Sequence, residues 1–137
     1  MIMVGGGAVN FHGYQRHSAD VDFWIDATEV NFKALVQVFN GMGYEIQDLP
    51  ESVKKQEQNI SVKFSPTDLN LELITSFPIG LSFEEAYQQA ETVILDKEKK
   101  LIWKVLSLNH LIDSKLKSGR PKDLLDIQEL KRINNID

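Results

Sequence analysis

The sequence predicts an α+β domain, a small mixed sheet with helices packed on it, spanning residues 1–137. Three observations carry that expectation. Runs with apolar residues at every second position, such as Ile60-Ser61-Val62-Lys63-Phe64, read as half-buried strands. Between them lie segments whose apolar residues recur every three or four positions, as in Phe32, Leu35, Val36 and Phe39, the period of a helix with one buried face. The 137 residues, 42% hydrophobic and 26% charged, suit one core rather than two. Strands and helices layered this way make an α+β or open α/β sandwich.

Met1 to Val4 reads as a short strand that runs into Gly5-Gly6-Gly7, with a short helix from Ala8 to Gly13 after the turn. With almost nothing before it, this first strand is expected at a sheet edge, or the domain is cut from a preceding helix. Val21 to Ile25 is the next strand. The Phe32–Phe39 helix follows and ends at Gly41-Met42-Gly43. Residues 44 to 58 are polar and give no clear period. Ile60–Phe64 and Leu69–Ile74 both alternate, and Pro66-Thr67-Asp68 supplies a turn between them, so a hairpin is expected. Phe77-Pro78-Ile79-Gly80 is a loop. Ser82 and Glu85 have the spacing of a capping box, which starts a helix from Phe83 to about Ala90. Val93-Ile94-Leu95 and Leu101 to Leu106 are short strands around a charged turn. Ser107 can cap a helix carrying Leu108, Leu111, Ile112 and Leu116, which Gly119 ends. Pro121 suits the first position of a last helix with Leu124, Leu125, Ile127, Leu130 and Ile133 on it.

The chemistry is concentrated in Asp20-Val21-Asp22, downstream of the three glycines. On a strand the two carboxylates leave the same face and repel each other unless a cation or hydrogen bonds compensate. A divalent ion is the simplest compensation, and the glycine turn offers backbone N–H groups to phosphates. The plainer reading is a pair neutralised in part by Arg16. Glu72 interrupts the Leu69–Ile74 strand. If Leu69, Leu71 and Leu73 face the core, Glu72 faces the other side and can join the aspartates; otherwise it is a solvated carboxylate on an open face. Three such groups on neighbouring strands would suit a two-metal phosphoryl-transfer site. Asp68, a turn residue, is a poorer ligand.

Lys115, Arg120 and Lys122 surround Gly119-Arg120-Pro121-Lys122-Asp123, either as solvated surface or as phosphate contacts across a cleft. Asp123 reads as structural, an orienting partner for Lys115 or for a ligand-bound loop. Arg16 reaches a triphosphate or neutralises Asp20. His12 reads as a packed or hydrogen-bonded histidine. Trp24 and Trp103 read as core or cleft-wall aromatics. The formal net charge of −5 argues against a broad nucleic-acid grip, while a local basic patch of Lys115, Lys117, Arg120 and Lys122 keeps a nucleic-acid contact open. With no cysteine, thiolate ligands and nucleophiles are excluded. No Gly-x-Ser-x-Gly, His-x-x-x-His or Gly-x-x-x-x-Gly-Lys motif occurs. No apolar stretch approaches the roughly 20 residues that span a bilayer, and the cytoplasm is the default compartment.

These stretches resemble the nucleotidyltransferases of the DNA polymerase beta superfamily, in the branch near the nucleotidyltransferase toxins of abortive-infection systems and related uncharacterised bacterial proteins. The likeness lies in Val4–Tyr14, Arg16–Ile25, Leu71-Glu72-Leu73-Ile74, Lys115 and Gly119–Ile127, in the expected order. It implies the polymerase beta-like fold. It implies Asp20, Asp22 and Glu72 as catalytic metal ligands for Mg²⁺ or Mn²⁺, with glutamate where many members carry aspartate. It further implies Gly5 and Gly6 as nucleotide-binding glycines, Ser18 as the small hydroxylated residue before the metal pair, and Lys115 and Lys122, with Asp123 and Asp126, as the C-terminal signature of that branch.

The expected activity is transfer of a nucleoside monophosphate from a nucleoside triphosphate to a hydroxyl of a small molecule, an RNA end or a protein. The alternative is a nucleotide-binding regulatory or antitoxin-like module with weak or no catalysis. The expected macromolecular partners are a second copy of the chain or the other half of a toxin–antitoxin pair, with no membrane.

Overall fold

A computed structural model describes residues 1–17, 20–64 and 69–137. The elements run β1 (Ile2–Val4), α1 (Gly5–Phe11), β2 (Asp20–Trp24), α2 (Glu29–Gly41), α3 (Glu51–Lys54), β3 (Ile60–Phe64), β4 (Leu69–Ile74), α4 (Phe83–Gln89), β5 (Glu91–Asp96), β6 (Leu101–Val105), α5 (Leu108–Ser118) and α6 (Pro121–Ile133). The strands form one mixed sheet in the order β3-β4-β2-β1-β6-β5. β2 pairs antiparallel with β1 and parallel with β4, while β1 pairs parallel with β6. The α+β class and the mixed sheet are as expected. The Pro66-Thr67-Asp68 turn and Ser18 lie outside the described residues.

Two expectations are corrected. β1 is not at an edge: it lies between β2 and β6 in the middle of the sheet, and Ile2 and Val4 are fully buried. A three-residue strand can hold that place because it is apolar throughout and covered on both faces. The glycines are not a turn before a helix; they are its first residues, since α1 begins at Gly5. Gly5 itself has φ +60°, which permits the abrupt change from strand to helix. In the polar stretch of residues 44 to 58, only the short α3 is helical.

Side-chain alternation gives the sheet two different faces. One carries Met3, Phe23, Leu73 and Val62, all buried. Phe39 of α2 and Leu49 and Val53 around α3 border an apolar groove with Ile60 and Val62 on that side. The other face carries Ile2, Val4 and Trp24, and then the acidic row of Asp20, Asp22 and Glu72. Trp24 meets Phe77 and Phe83 with ring centroids 5.4 and 5.3 Å away, so α4 and the loop before it cover the apolar half of this face. Trp103 packs edge-on against Phe23 but stays 43% exposed.

Helix starts follow the sequence. The Thr28, Ser82 and Ser107 hydroxyls accept from the backbone N–H groups of Asn31, Glu85 and His110. Gly119 ends α5 in the left-handed conformation at φ +63°. Among the described residues no helix is long and apolar enough to cross a membrane.

Leu111 of α5 is fully buried, whereas Leu124 of α6 is 52% exposed. Leu111→Ala is therefore expected to lower unfolding free energy by about 3 kcal/mol, and Leu124→Ala by no more than about 0.5 kcal/mol, in urea titrations of both variants.

Candidate functional site

β2 leads out of the segment that carries Arg16, and its alternation puts Asp20 and Asp22 on the face left open by α4. The parallel β4 aligns Glu72 with Asp22 and Asn70 with Asp20. On the other flank, β1 aligns Val4 with Asp22. Asp22 thus has an apolar neighbour on one side and a second carboxylate on the other. The reading of Leu71 and Leu73 as the opposite face from Glu72 agrees with this register. Ser61 of β3 donates a hydrogen bond to Glu72 across the β3–β4 pair.

The electrostatics of Asp22 are those of an uncompensated group. Burial pushes its carboxyl above the ordinary range, the charges of Asp20 and Glu72 push it further, and Lys115 and Lys122 oppose them. Gly5 adds a steric constraint. A Cβ built on it would run into the Asp22 carboxylate, so the α1 backbone reaches this close only because the residue is glycine. The carboxylate oxygens and their excess negative charge suit a hard divalent cation. Among the described residues, however, no three His, Asp or Glu side chains converge as a ready ion cage. Asp20, Asp22 and Glu72 form a row on one face, with Glu72 engaged by Ser61.

Facing Asp22 is a cleft of about 390 Å³. Val4, Gly5 and Asp22 border it on the sheet side, and Phe77 and Pro78 on the loop side. The α5–α6 junction forms the remaining wall, with Ser114, Lys115, Lys117, Ser118 and Arg120. Gly6 is buried inside α1 and does not line the cleft. Lys122 is exposed on the first turn of α6, and its charge reaches Asp22.

The wall is held by buried ion pairs. Asp123 and Asp126, 0% and 1% exposed, project from α6. Lys115 Nζ lies 3.3 Å from Asp123 Oδ1 and 3.0 Å from Asp126 Oδ2. The Arg16 guanidinium grips Asp126 with two bonds of 2.9 and 3.0 Å. Arg120 Nε and backbone N–H donate to Asp123 Oδ2 at 2.7 and 3.2 Å. Burial alone would raise the Asp123 carboxyl. Hydrogen bonds from Arg120, Ser118 and Lys115, with the Lys115 charge, outweigh it and hold that carboxyl well below the usual carboxylate range.

Arg16 therefore pairs with Asp126, a partner 110 positions away, rather than with Asp20. Its forked guanidinium matches the carboxylate, which leaves little of it to meet a phosphate. Lys115 borders the cleft but spends its charge on the two aspartates. Lys117 and Lys122 face outward, whereas Arg120, although exposed, is engaged by both oxygens of Asp123. Lys117, read in the sequence as part of a basic patch, stands on the cleft wall. His12 is hydrogen-bonded as expected, through Nε2 to the Leu106 carbonyl at 2.7 Å.

Opposite pH responses follow. The Asp22 carboxyl is raised in the folded state, so its ionisation costs stability above the range of a free aspartate. Asp22→Asn should raise neutral-pH stability by up to about 1 kcal/mol in urea titrations, and the gain should vanish in acid. The Asp123 carboxyl is depressed, so its contribution is complete above about pH 4 and fades as pH falls below it. Asp123→Asn should cost about 3 kcal/mol at neutral pH and flatten the acid limb of the stability profile. No protein-family model matches this chain, and no curated protein matches it.

Proposed function

We propose that the protein binds a nucleoside triphosphate with a divalent cation in the cleft between the acidic row and the α5–α6 wall, and transfers its nucleoside monophosphate to a hydroxyl. The observation that carries this reading is the opposition of charges across the cleft. Asp22, made electrically uncomfortable by Asp20 and Glu72, lies across the cleft from Lys117, and the charge of the exposed Lys122 acts on it from the start of α6. A metal–triphosphate complex presents both signs, cation toward the carboxylates and phosphates toward the basic wall. The resemblance of Val4–Tyr14, Arg16–Ile25 and Gly119–Ile127 to the polymerase beta superfamily of nucleotidyltransferases supports the same reading.

In this scheme Asp20 and Asp22 would hold Mg²⁺ or Mn²⁺, with Glu72 beside them. Such an ion would supply charge neutralisation on the triphosphate and acidify the acceptor hydroxyl. Lys117 orients the phosphates, Lys122 adds to the field, and Gly5 lets the backbone lie against the acidic row. The acceptor oxygen bonds to the α-phosphorus as the α–β anhydride bond breaks, pyrophosphate leaves, and the hydroxyl proton passes to Glu72. Lys115 acts by fixing Asp123 and Asp126, and so the wall. A second reading, a nucleotide-binding regulatory module without turnover, is favoured by one observation. Glu72 is tied to Ser61, and the three carboxylates stand in a row rather than around a point.

Calorimetric titration with each nucleoside triphosphate, with and without Mg²⁺, tests the site. Binding is expected only with Mg²⁺ and is expected to be lost in an Asp20→Ala/Asp22→Ala variant that keeps its circular dichroism. Lys117→Ala should weaken it about tenfold. Absence of binding at millimolar nucleotide would overturn the proposal. Binding without release of pyrophosphate, measured across small-molecule, RNA and protein acceptors, would favour the regulatory reading.

A further inference from the structure

The cleft opposite Asp22 has an apolar side that the charged groups leave unused. Val4 of β1, Ile74 of β4, and Phe77 and Pro78 of the loop after β4 line it there. Ile74 stands two positions beyond Glu72 on the same face of β4, so this lining continues the acidic row toward the loop. None of these four side chains can donate or accept a hydrogen bond. Among the described residues Phe77 is the one aromatic ring that lines the cleft. Its position is fixed from behind. Trp24, 5% exposed, lies 5.4 Å from it and is itself backed by Phe83 at 5.3 Å. The loop is pinned as well: Ile79 is buried, and its N–H donates to the Phe77 carbonyl at 3.0 Å. Phe77 nonetheless stays half-buried, with part of its surface turned to the cleft.

We infer that Phe77, with Ile74 and Pro78, forms the base subsite of this cleft and that it selects purine nucleoside triphosphates. The inference rests on the nucleotide reading proposed above. A nucleoside triphosphate carries its charge at one end and a flat base at the other. The charged end belongs with Asp22 and Lys117, which leaves the apolar lining for the base. A ring already held by Trp24 loses little freedom when a base stacks on it, so the contact is realised as affinity. The same lining explains the choice of base. It offers no side chain to read a base edge by hydrogen bonds, so bases are ranked by the area they lay on the ring. A two-ring purine covers more of it than a one-ring pyrimidine. Adenine and guanine are accepted alike, since they differ at edges that Phe77, Ile74 and Pro78 cannot sense.

Calorimetry of the full chain in Mg²⁺ tests this with five probes: ATP, GTP, CTP, UTP and inorganic tripolyphosphate, which has the phosphates and no base. ATP and GTP are expected to bind with similar Kd, roughly fivefold or more below those of CTP and UTP, with tripolyphosphate weakest. Phe77→Leu keeps an apolar side chain against Trp24 and removes the ring. It should raise the Kd for ATP about tenfold, bring purines and pyrimidines to one level, and leave the Kd for tripolyphosphate unchanged. Phe77→Tyr keeps the ring and should keep the purine preference. Tripolyphosphate bound as tightly as ATP by the wild type would overturn the base subsite and leave the metal–phosphate site standing. A pyrimidine preference would overturn it too, as would a Phe77→Leu variant that binds ATP normally. So would a Phe77→Leu variant that loses tripolyphosphate as well, because the ring would then support the cleft and not the base. Failure of all five probes to bind would overturn the nucleotide reading itself, and the subsite with it.

Discussion

Asp126 is buried on α6, and its two oxygens are taken by Arg16 and Lys115. Arg16 lies in the segment that precedes β2, and Lys115 lies on α5, so one carboxylate joins three parts of the chain. Beside it Asp123 binds Lys115 and Arg120, and fastens the backbone at the start of α6. Desolvated charges are tolerable only when they are paired, and loss of any one leaves a buried neighbour with half its compensation. The α5–α6 junction is therefore fixed in place over the open half of the sheet. The cleft exists because this wall cannot retreat.

The same residue type meets two opposite environments within this small site. Asp123 is surrounded by donors and cations, which fully stabilise its ionised form. Asp22 is desolvated, flanked by like charges and answered only by distant lysines. A protein that needs structure satisfies its carboxylates; one that needs affinity for cations leaves some of them in deficit. The contrast separates framework from open cleft surface more clearly than burial alone, since Lys115 is buried and borders the cleft yet belongs to the framework.

Much of this was legible in the sequence, and the illegible part has definite causes. The period-two and helical patterns located nearly every element, and hydroxyl caps and Gly119 marked helix ends, because these signals are local. The common face of Asp20, Asp22 and Glu72 followed from alternation, once β4 was taken as the neighbour of β2. Strand order was not legible: three apolar residues at the start of a chain look the same at an edge as in the centre. The pairing of Arg16 with Asp126 was hidden for the same reason, since nothing local links positions so far apart. Gly5 and Gly6 read alike in sequence. Only the close approach of Gly5 to Asp22 separates their roles.

The central position of β1 also governs the order in which the molecule can be built. β1 is complete at the fourth residue, but one of its flanks belongs to β6, about a hundred residues further along. During synthesis β1 can pair early with β2, and β2 can later accept β4, giving a partial sheet whose growing edge is β1 itself. That edge is strongly apolar and stays unpaired until the β5–β6 hairpin has emerged. The nascent chain therefore carries a sticky strand until β6 has been made, and the segment from β5 to α6 both completes the cleft and shields β1.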